Sequence, residues 1–287
     1  MSDGVAEGDS LGDNARDGRP YTVLSCCMSL DGYISSASGG RLTLSNTADL
    51  DRVDAVRARC DAILVGAGTI RADNPRLLVR DTGRVARRTA GGAAATPVKV
   101  TVTAAARLTA DADFFRTGLD KLVYCRSTAV HRARRLLGER ASVVDAGDPV
   151  RMGWVSRDLL RRGIRRLMVE GGGRIHTQFL TDNLVDEMHL VIAPVFVGDA
   201  RARRFVDDGR FPYRSPRRAR LVESRAIGDV VLMRYALSDR FDPDVFDPAL
   251  AELAGVDTAG IDIGGSDTVS LRAACAKTAL IDGVTGP

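Results

Sequence analysis

LMVEGGGRIHTQFL, residues 167–180, is the stretch on which the fold turns. An apolar run closes on a carboxylate, Glu170, then passes through Gly171, Gly172 and Gly173 into residues with helical spacing. Strand, turn and helix in that order are the unit of a mostly parallel α/β sheet, whose ligands gather where strands end and loops converge. Three successive glycines weaken any regular element, so something must compensate for them. Backbone N–H groups left uncovered at a helix start suit an anion. For Glu170 the residues leave three roles open: a cap for the Gly172 or Gly173 amide, the partner of a nearby arginine, or a contact for a second ligand. Coulomb repulsion turns it away from any phosphate held on the glycines.

A second junction of the same kind lies upstream in DAILVGAGTIRADNPRLLVR, residues 61–80, where a short strand meets a Gly-x-Gly turn at Gly66 and Gly68. Around these two, short strands are predicted at 21–30, 98–103, 121–125 and 142–144, with a long one at 186–198. Helices are predicted from an Asn46 cap to about Arg59, at 128–137, around 154–162 and at 173–183. The first of them carries Leu50, Val53, Ala55 and Val56 at helical spacing. Residues 218–237 read as a hairpin turning at Gly228-Asp229, and residues 84–96 as a low-complexity loop. The fold class expected is therefore α/β, a mostly parallel central sheet flanked by helices and finished by an antiparallel C-terminal hairpin. Residues 1–19 read as a disordered leader and 20–238 as the domain. Residues 239–287 read as a partly disordered extension, with room for a short helix at 247–254.

Composition narrows the class. The 287 residues are 45% hydrophobic and 27% charged, ordinary for a globular chain. No apolar run approaches the roughly 18 residues of a membrane span. The polar first residues lack the apolar core of a signal peptide. Five cysteines with no CxxC pair point to a reducing cytoplasm, with no disulfide framework and no metal site. Of 41 basic residues only Lys99, Lys121 and Lys277 are lysine. The arginine runs at 134–140, 161–166 and 215–220 read as solvated faces, since 5% aromatic content is poor for stacking on bases. There is no P-loop and no GxSxG elbow, and His131, His176 and His189 have no metal spacing. GGGRIH also fails the dinucleotide fingerprint, with His176 where the last glycine belongs.

Three stretches together carry a resemblance: MSLDGYIS (28–35), RARCDAILVGAGTIRADNPRLLVR (57–80) and VEGGGRIHTQFLTDNLVDEMHLVIAPVFVGDA (169–200). In this order they resemble the pyrimidine reductase of riboflavin biosynthesis, an NADPH-dependent family with a dihydrofolate-reductase-like fold. The likeness runs from about Pro20 to Leu237. It covers nothing like the zinc deaminase to which the reductase is commonly fused in bacteria, so a stand-alone reductase is expected. The resemblance implies hydride transfer from NADPH to C1′ of a ribosylaminopyrimidine 5′-phosphate. It places Cys27, Thr43, Thr69, Asp73, Gly171, Gly172, Gly173, Arg174 and Ile175 at the cofactor, with residues 172–178 wrapping its phosphates. It places Arg41, Arg57, Leu77, Arg80 and Glu170 at the substrate, with Arg57 and Arg80 serving its phosphate. Asp73 and Glu170 are the candidate proton donors. A cytoplasmic homodimer acting on a small phosphorylated pyrimidine is implied, with neither nucleic acid nor membrane as partner.

The chain departs from the fused bacterial enzymes at three positions. Ser25 stands in place of a lysine of the first strand, Thr43 in place of a tryptophan, and Thr103 in place of an aspartate. Stand-alone archaeal and fungal relatives also lack the lysine and use a diaminopyrimidinone. Both the diamino and the uracil substrate therefore remain open. So does a reductase of the same fold acting on dihydrofolate or a secondary-metabolism pyrimidine, and, in another class, a non-catalytic NADP-binding protein. A nucleic-acid binder is the weakest reading.

Overall fold

A computed structural model describes residues 18–37 and 42–246. Nine strands form one sheet in the order β5-β4-β3-β2-β6-β1-β7-β9-β8. The seven from β5 to β7 run parallel, while β9 and β8 are antiparallel. They are β1 (Tyr21–Ser29), β2 (Ala62–Gly66), β3 (Val98–Thr103), β4 (Lys121–Cys125), β5 (Ser142–Asp145), β6 (Arg166–Gly171), β7 (Glu187–Ala193), β8 (Arg220–Ile227) and β9 (Val230–Ala236). The helices are α1 (Thr47–Ala58), α2 (Ala67–Asp73), α3 (Thr82–Ala90), α4 (Asp113–Arg116), α5 (Val130–Leu137), α6 (Met152–Arg161) and α7 (Gly173–Thr181). The mostly parallel sheet with its C-terminal hairpin is the architecture expected from the sequence.

Alternation along the strands sorts side chains to two faces. On one, Val23, Ile63, Val65 and Met168 pack with Val56 of α1 and Ile70 of α2. On the other, Leu24, Leu64 and Val169 pack with Val155 and Leu159 of α6 and with Ile175 and Phe179 of α7. Strand β6 returns late in the chain to lie between β1 and β2, so the two glycine junctions stand side by side at the carboxyl ends of adjacent strands. Among the described residues no helix is long and apolar enough to cross a membrane.

The structure corrects several expectations. Residues 84–96 are not wholly loop: α3 begins at an Asp81 cap whose carboxylate accepts from the Arg84 amide at 2.7 Å. Nothing in α3 is buried, so no apolar period announces it. Strand β7 stops at Ala193, because Pro194 has no N–H to continue the ladder. Its apolar run, residues 189–197, reads from sequence as a candidate edge for a dimer interface, but β1 and β9 flank it. Arg19, assigned to the leader, is buried and grips Asp186 through both terminal nitrogens at 2.7 and 2.8 Å. Phe246, assigned to the extension, is buried against Tyr21. The expected helix at 247–254 and residue Arg41 lie outside the described residues.

Candidate active site

The register of β6 against β2 breaks at Glu170. Leu64 of β2 is opposite Val169, but the next residue, Val65, is opposite Gly171. Glu170 is the surplus residue of a β-bulge, and as an even residue of β6 it keeps to the face of Met168 while the register beyond it shifts. It faces α1, where Arg57 donates from Nε and Nη2 to both carboxylate oxygens at 2.6 Å each. The pair is largely buried, and Nη1 of Arg57 makes a looser 3.3 Å bond to the Leu78 carbonyl. Of the roles the sequence left open, pairing with an arginine is the one formed. A two-pronged guanidinium–carboxylate contact fixes both planes and leaves the outer lone pairs available to a ligand.

The three glycines answer to three different neighbours. Gly171 has φ +130°, a conformation closed to ordinary L residues. A side chain on Gly172 would meet Thr69 Oγ1 at 3.1 Å, the same oxygen that accepts from the Gly172 amide at 3.2 Å. One on Gly173 would lie 2.6 Å from the Arg204 carbonyl. The glycines therefore allow α2, α7 and the loop around Arg204 to converge. Neither α2 nor α7 has a side-chain cap or an acidic residue in its first turn. Arg174 is exposed on α7, and the space beside Gly68 is open to 3.9 Å. Two helix starts without side-chain caps, joined through Thr69, are chemically fitted to a diphosphate, although the Asp207 carboxylate stands 3.6 Å from where a Cβ of Gly173 would be. His176 behind them donates from Nδ1 to the Phe205 carbonyl at 3.0 Å, and burial pushes its basicity down to about 4. It is neutral, so the positive character of this corner comes from backbone and Arg174.

The other expected residues divide between these two places. Asp73 is one turn beyond Thr69 on α2, exposed at the helix end. Ile175 fills the space over Gly66, 3.0 Å from where a Cβ would be. Leu77 is buried with φ +50°, uncommon for a branched residue and of the kind that collects at functional sites. Its segment runs along α1: Leu78 accepts from Arg57, and the Arg80 amide donates to Asp54 at 2.7 Å. Arg80 itself is exposed, with Nη2 on the Leu50 carbonyl at 3.0 Å. Thr43 is exposed before α1. Cys27 stands on the α1 side of β1, not with the glycines, and burial raises its thiol to about 11.

A buried polar chain beside them went unread in the sequence. The inward side of α1 is charged: Asp49, Arg52 and Asp54 are buried, and Leu50 is left 39% exposed. Arg52 donates from Nε to Asp49 Oδ1 at 2.8 Å and from Nη1 to His189 Nδ1 at 3.1 Å. His189 passes its Nε2 proton toward Glu187 Oε1 at 2.6 Å, and Arg234 donates to the same oxygen at 2.6 and 2.9 Å. Tyr21 closes on Glu187 Oε2 at 3.1 Å. Burial lowers the basicity of His189, in keeping with a neutral ring accepting from Arg52. The signal was present, charges at 49 and 52 on the stripe of Val53 and Val56, but charge on a helix ordinarily marks the wet face.

Comparison with known proteins gives the chain a family. The RibD C-terminal domain family matches residues 20–233, most of the chain. The chain belongs to the RibD C-terminal domain family. Among its relatives is the 2,5-diamino-6-ribosylamino-4(3H)-pyrimidinone 5′-phosphate reductase of Archaeoglobus fulgidus, 36% identical over 63% of this chain and 83% of that protein. The reductase of the same name from Methanothermobacter thermautotrophicus is 34% identical over 76% of this chain and 99% of its own length. The solved structure of RibD from Acinetobacter baumannii has a TM-score of 0.63 at 23% identity, over 77% of this chain. This RibD C-terminal domain spans 58% of that longer protein, and the likeness there is one of fold.

Proposed function

We propose that this chain is an NADPH-dependent reductase of riboflavin biosynthesis. Its substrate is a ribosylaminopyrimidine 5′-phosphate, the 2,5-diamino compound named for its relatives, reduced at C1′ to the ribitylamino product. What carries the reading is one juxtaposition: two uncapped helix starts, α2 and α7, meet beside the Arg57–Glu170 pair at the ends of β2 and β6. The Gly172–Arg174 backbone and Thr69 are the groups to hold a dinucleotide's phosphates. Arg57 and Arg80 supply the cationic end for the 5′-phosphate. The bound nicotinamide supplies the hydride. The protein's own work is orientation and water exclusion, with Glu170 held rigid for the sugar and Asp73 one helical turn from Thr69 as the alternative proton source.

The protein is taken to act in the cytoplasm as a homodimer. On the antiparallel side of the sheet, Val231 (41% exposed) and Leu221 (52%) give an apolar face suited to a second copy. The test is NADPH oxidation with the diamino substrate, its uracil counterpart and dihydrofolate in parallel. Turnover on a phosphoribosylaminopyrimidine supports the reading. Turnover on dihydrofolate alone, or cofactor binding with none, overturns it.

A further inference from the structure

Lys99 is one of three lysines among 41 basic residues, and it is wholly buried in β3. A buried ammonium is costly unless its donors are satisfied, and its usual partner is a carboxylate. Here no carboxylate accepts from it. Nζ donates to the Phe114 carbonyl at 3.1 Å, to the Thr117 carbonyl at 2.7 Å and to Thr117 Oγ1 at 2.8 Å. All three acceptors belong to α4 and the residue that ends it. Burial, with repulsion from Lys121 and Arg57 set against attraction from Asp113, draws the basicity of Lys99 down to about 8. Near neutral pH it is still an ammonium.

Helix α4 leads from Lys99 to the site. Its first amide, on Asp113, donates to Asn74 Oδ1 at 2.7 Å, and Asn74 ends α2 with φ +44°. Three residues later Leu77 is buried with φ +50°. Two left-handed non-glycine residues so close together persist only where their surroundings over-determine them. The stem of the lysine approaches the same segment. A Cβ on Gly118 would lie 2.9 Å from Lys99 Cε and 3.4 Å from Leu78 Cδ2. Leu78 in turn accepts from Nη1 of Arg57, the arginine paired with Glu170, at 3.3 Å. Residues 74–78 are therefore held by α4 at one end and by Arg57 at the other. Without the ammonium, the Phe114 and Thr117 carbonyls lose their shared donor, and α4 must turn them toward water.

We propose that Lys99 is a positioning residue for the pyrimidine: by anchoring α4 it holds residues 74–78 in place and sets Leu77 for the substrate. The assignment rests on the pyrimidine reading given above, which puts Leu77 and Arg80 at the substrate. Lys99 acts through Asn74, Leu77 and Leu78, and is itself buried away from any ligand.

Lys99→Met keeps the length of the side chain and removes the charge. Steady-state kinetics are expected to show KM for the phosphoribosylaminopyrimidine raised about tenfold or more, kcat within about threefold and KM for NADPH within about twofold, the pattern of lost uniform binding. A folded variant with both KM values unchanged makes Lys99 a core residue only and overturns the proposal, and so does an equal rise in both. Asn74→Gly is the second variant, should the first fail to fold, since glycine keeps the positive φ while the Oδ1 acceptor is lost. It is expected to raise the pyrimidine KM about three- to tenfold and again to spare NADPH, as for one hydrogen bond. No rise there counts against the brace. In the double variant the two effects should not add, because both act through α4, and full additivity denies the shared path. Wild-type turnover with unshifted variants sinks Lys99 alone. A wild type that neither turns over nor binds a phosphoribosylaminopyrimidine by calorimetry sinks the pyrimidine reading together with it.

Discussion

At Glu170 the decisive fact is that its charge is matched on both oxygens by one guanidinium. Glu170→Gln keeps the shape and removes the charge, leaving Arg57 largely buried without a counter-ion. It is expected to lower stability by about 2–4 kcal/mol and kcat/KM for the pyrimidine by about ten- to a hundredfold. NADPH affinity should stay within about twofold, as Glu170 faces α1 and α7 packs on the opposite side of the sheet. Stopped-flow titration of NADPH beside steady-state kinetics checks it, and loss of cofactor binding would move Glu170 into the cofactor site. His176 makes a pH prediction. Its folded value near 4 lies below the ordinary 6.5, so between these limits the unfolded chain binds the extra proton. Stability attached to His176 is therefore present above pH 6.5 and drains as pH falls toward 4, by up to about 3 kcal/mol. Urea midpoints of wild type against His176→Phe across that range should converge as the pH is lowered.

Among the elements, the helix starts separate what glycine does for packing from what it leaves open for a ligand. Gly173→Ala sets a Cβ 2.6 Å from the Arg204 carbonyl, a backbone atom that can yield only by moving the loop. A loss of about 1–3 kcal/mol is expected, with weakened NADPH binding. Gly68→Ala meets nothing closer than 3.9 Å and lies inside α2, so it should gain up to about 1 kcal/mol. If phosphates approach that backbone, the same change lowers NADPH affinity. Thermal melts with cofactor titration on the two variants give opposite signs of stability and the same sign of affinity. The elements are also where sequence reading succeeded and failed. The two junctions were legible because glycine beside an apolar run has few other uses. The buried side of α1 was not, because Leu50 carries the apolar signal and is exposed, while Asp49 and Arg52 carry the burial. Helix α3 buries nothing, leaving only its Asp81 cap to betray it.

For the whole molecule, the parallel strands bring residues 57, 69 and 170 together although they are far apart in the chain. The pairing of Glu170 with Arg57 follows from the face of β6 that Glu170 shares with Met168, and no spacing rule foretells which arginine α1 brings there. The antiparallel end of the sheet leaves Val231 and Leu221 uncovered. Val231→Arg places a charge at the turn end of that face and should convert a dimer to monomer, raising the dissociation constant at least about tenfold. Light scattering across a dilution series checks it, and an unchanged mass would place the interface elsewhere.

The bulge at Glu170 also acts as a change of parity. Up to Val169, odd residues of β6 face α7 and even ones face α1. One supernumerary residue breaks that count just before the glycines begin. Deleting it would give a more regular ladder and a carboxylate-free rim, a better strand and an emptied site. The frame of the sheet and the frame of the chemistry differ here by one residue, so a repair toward ideal geometry at this position works against the reaction.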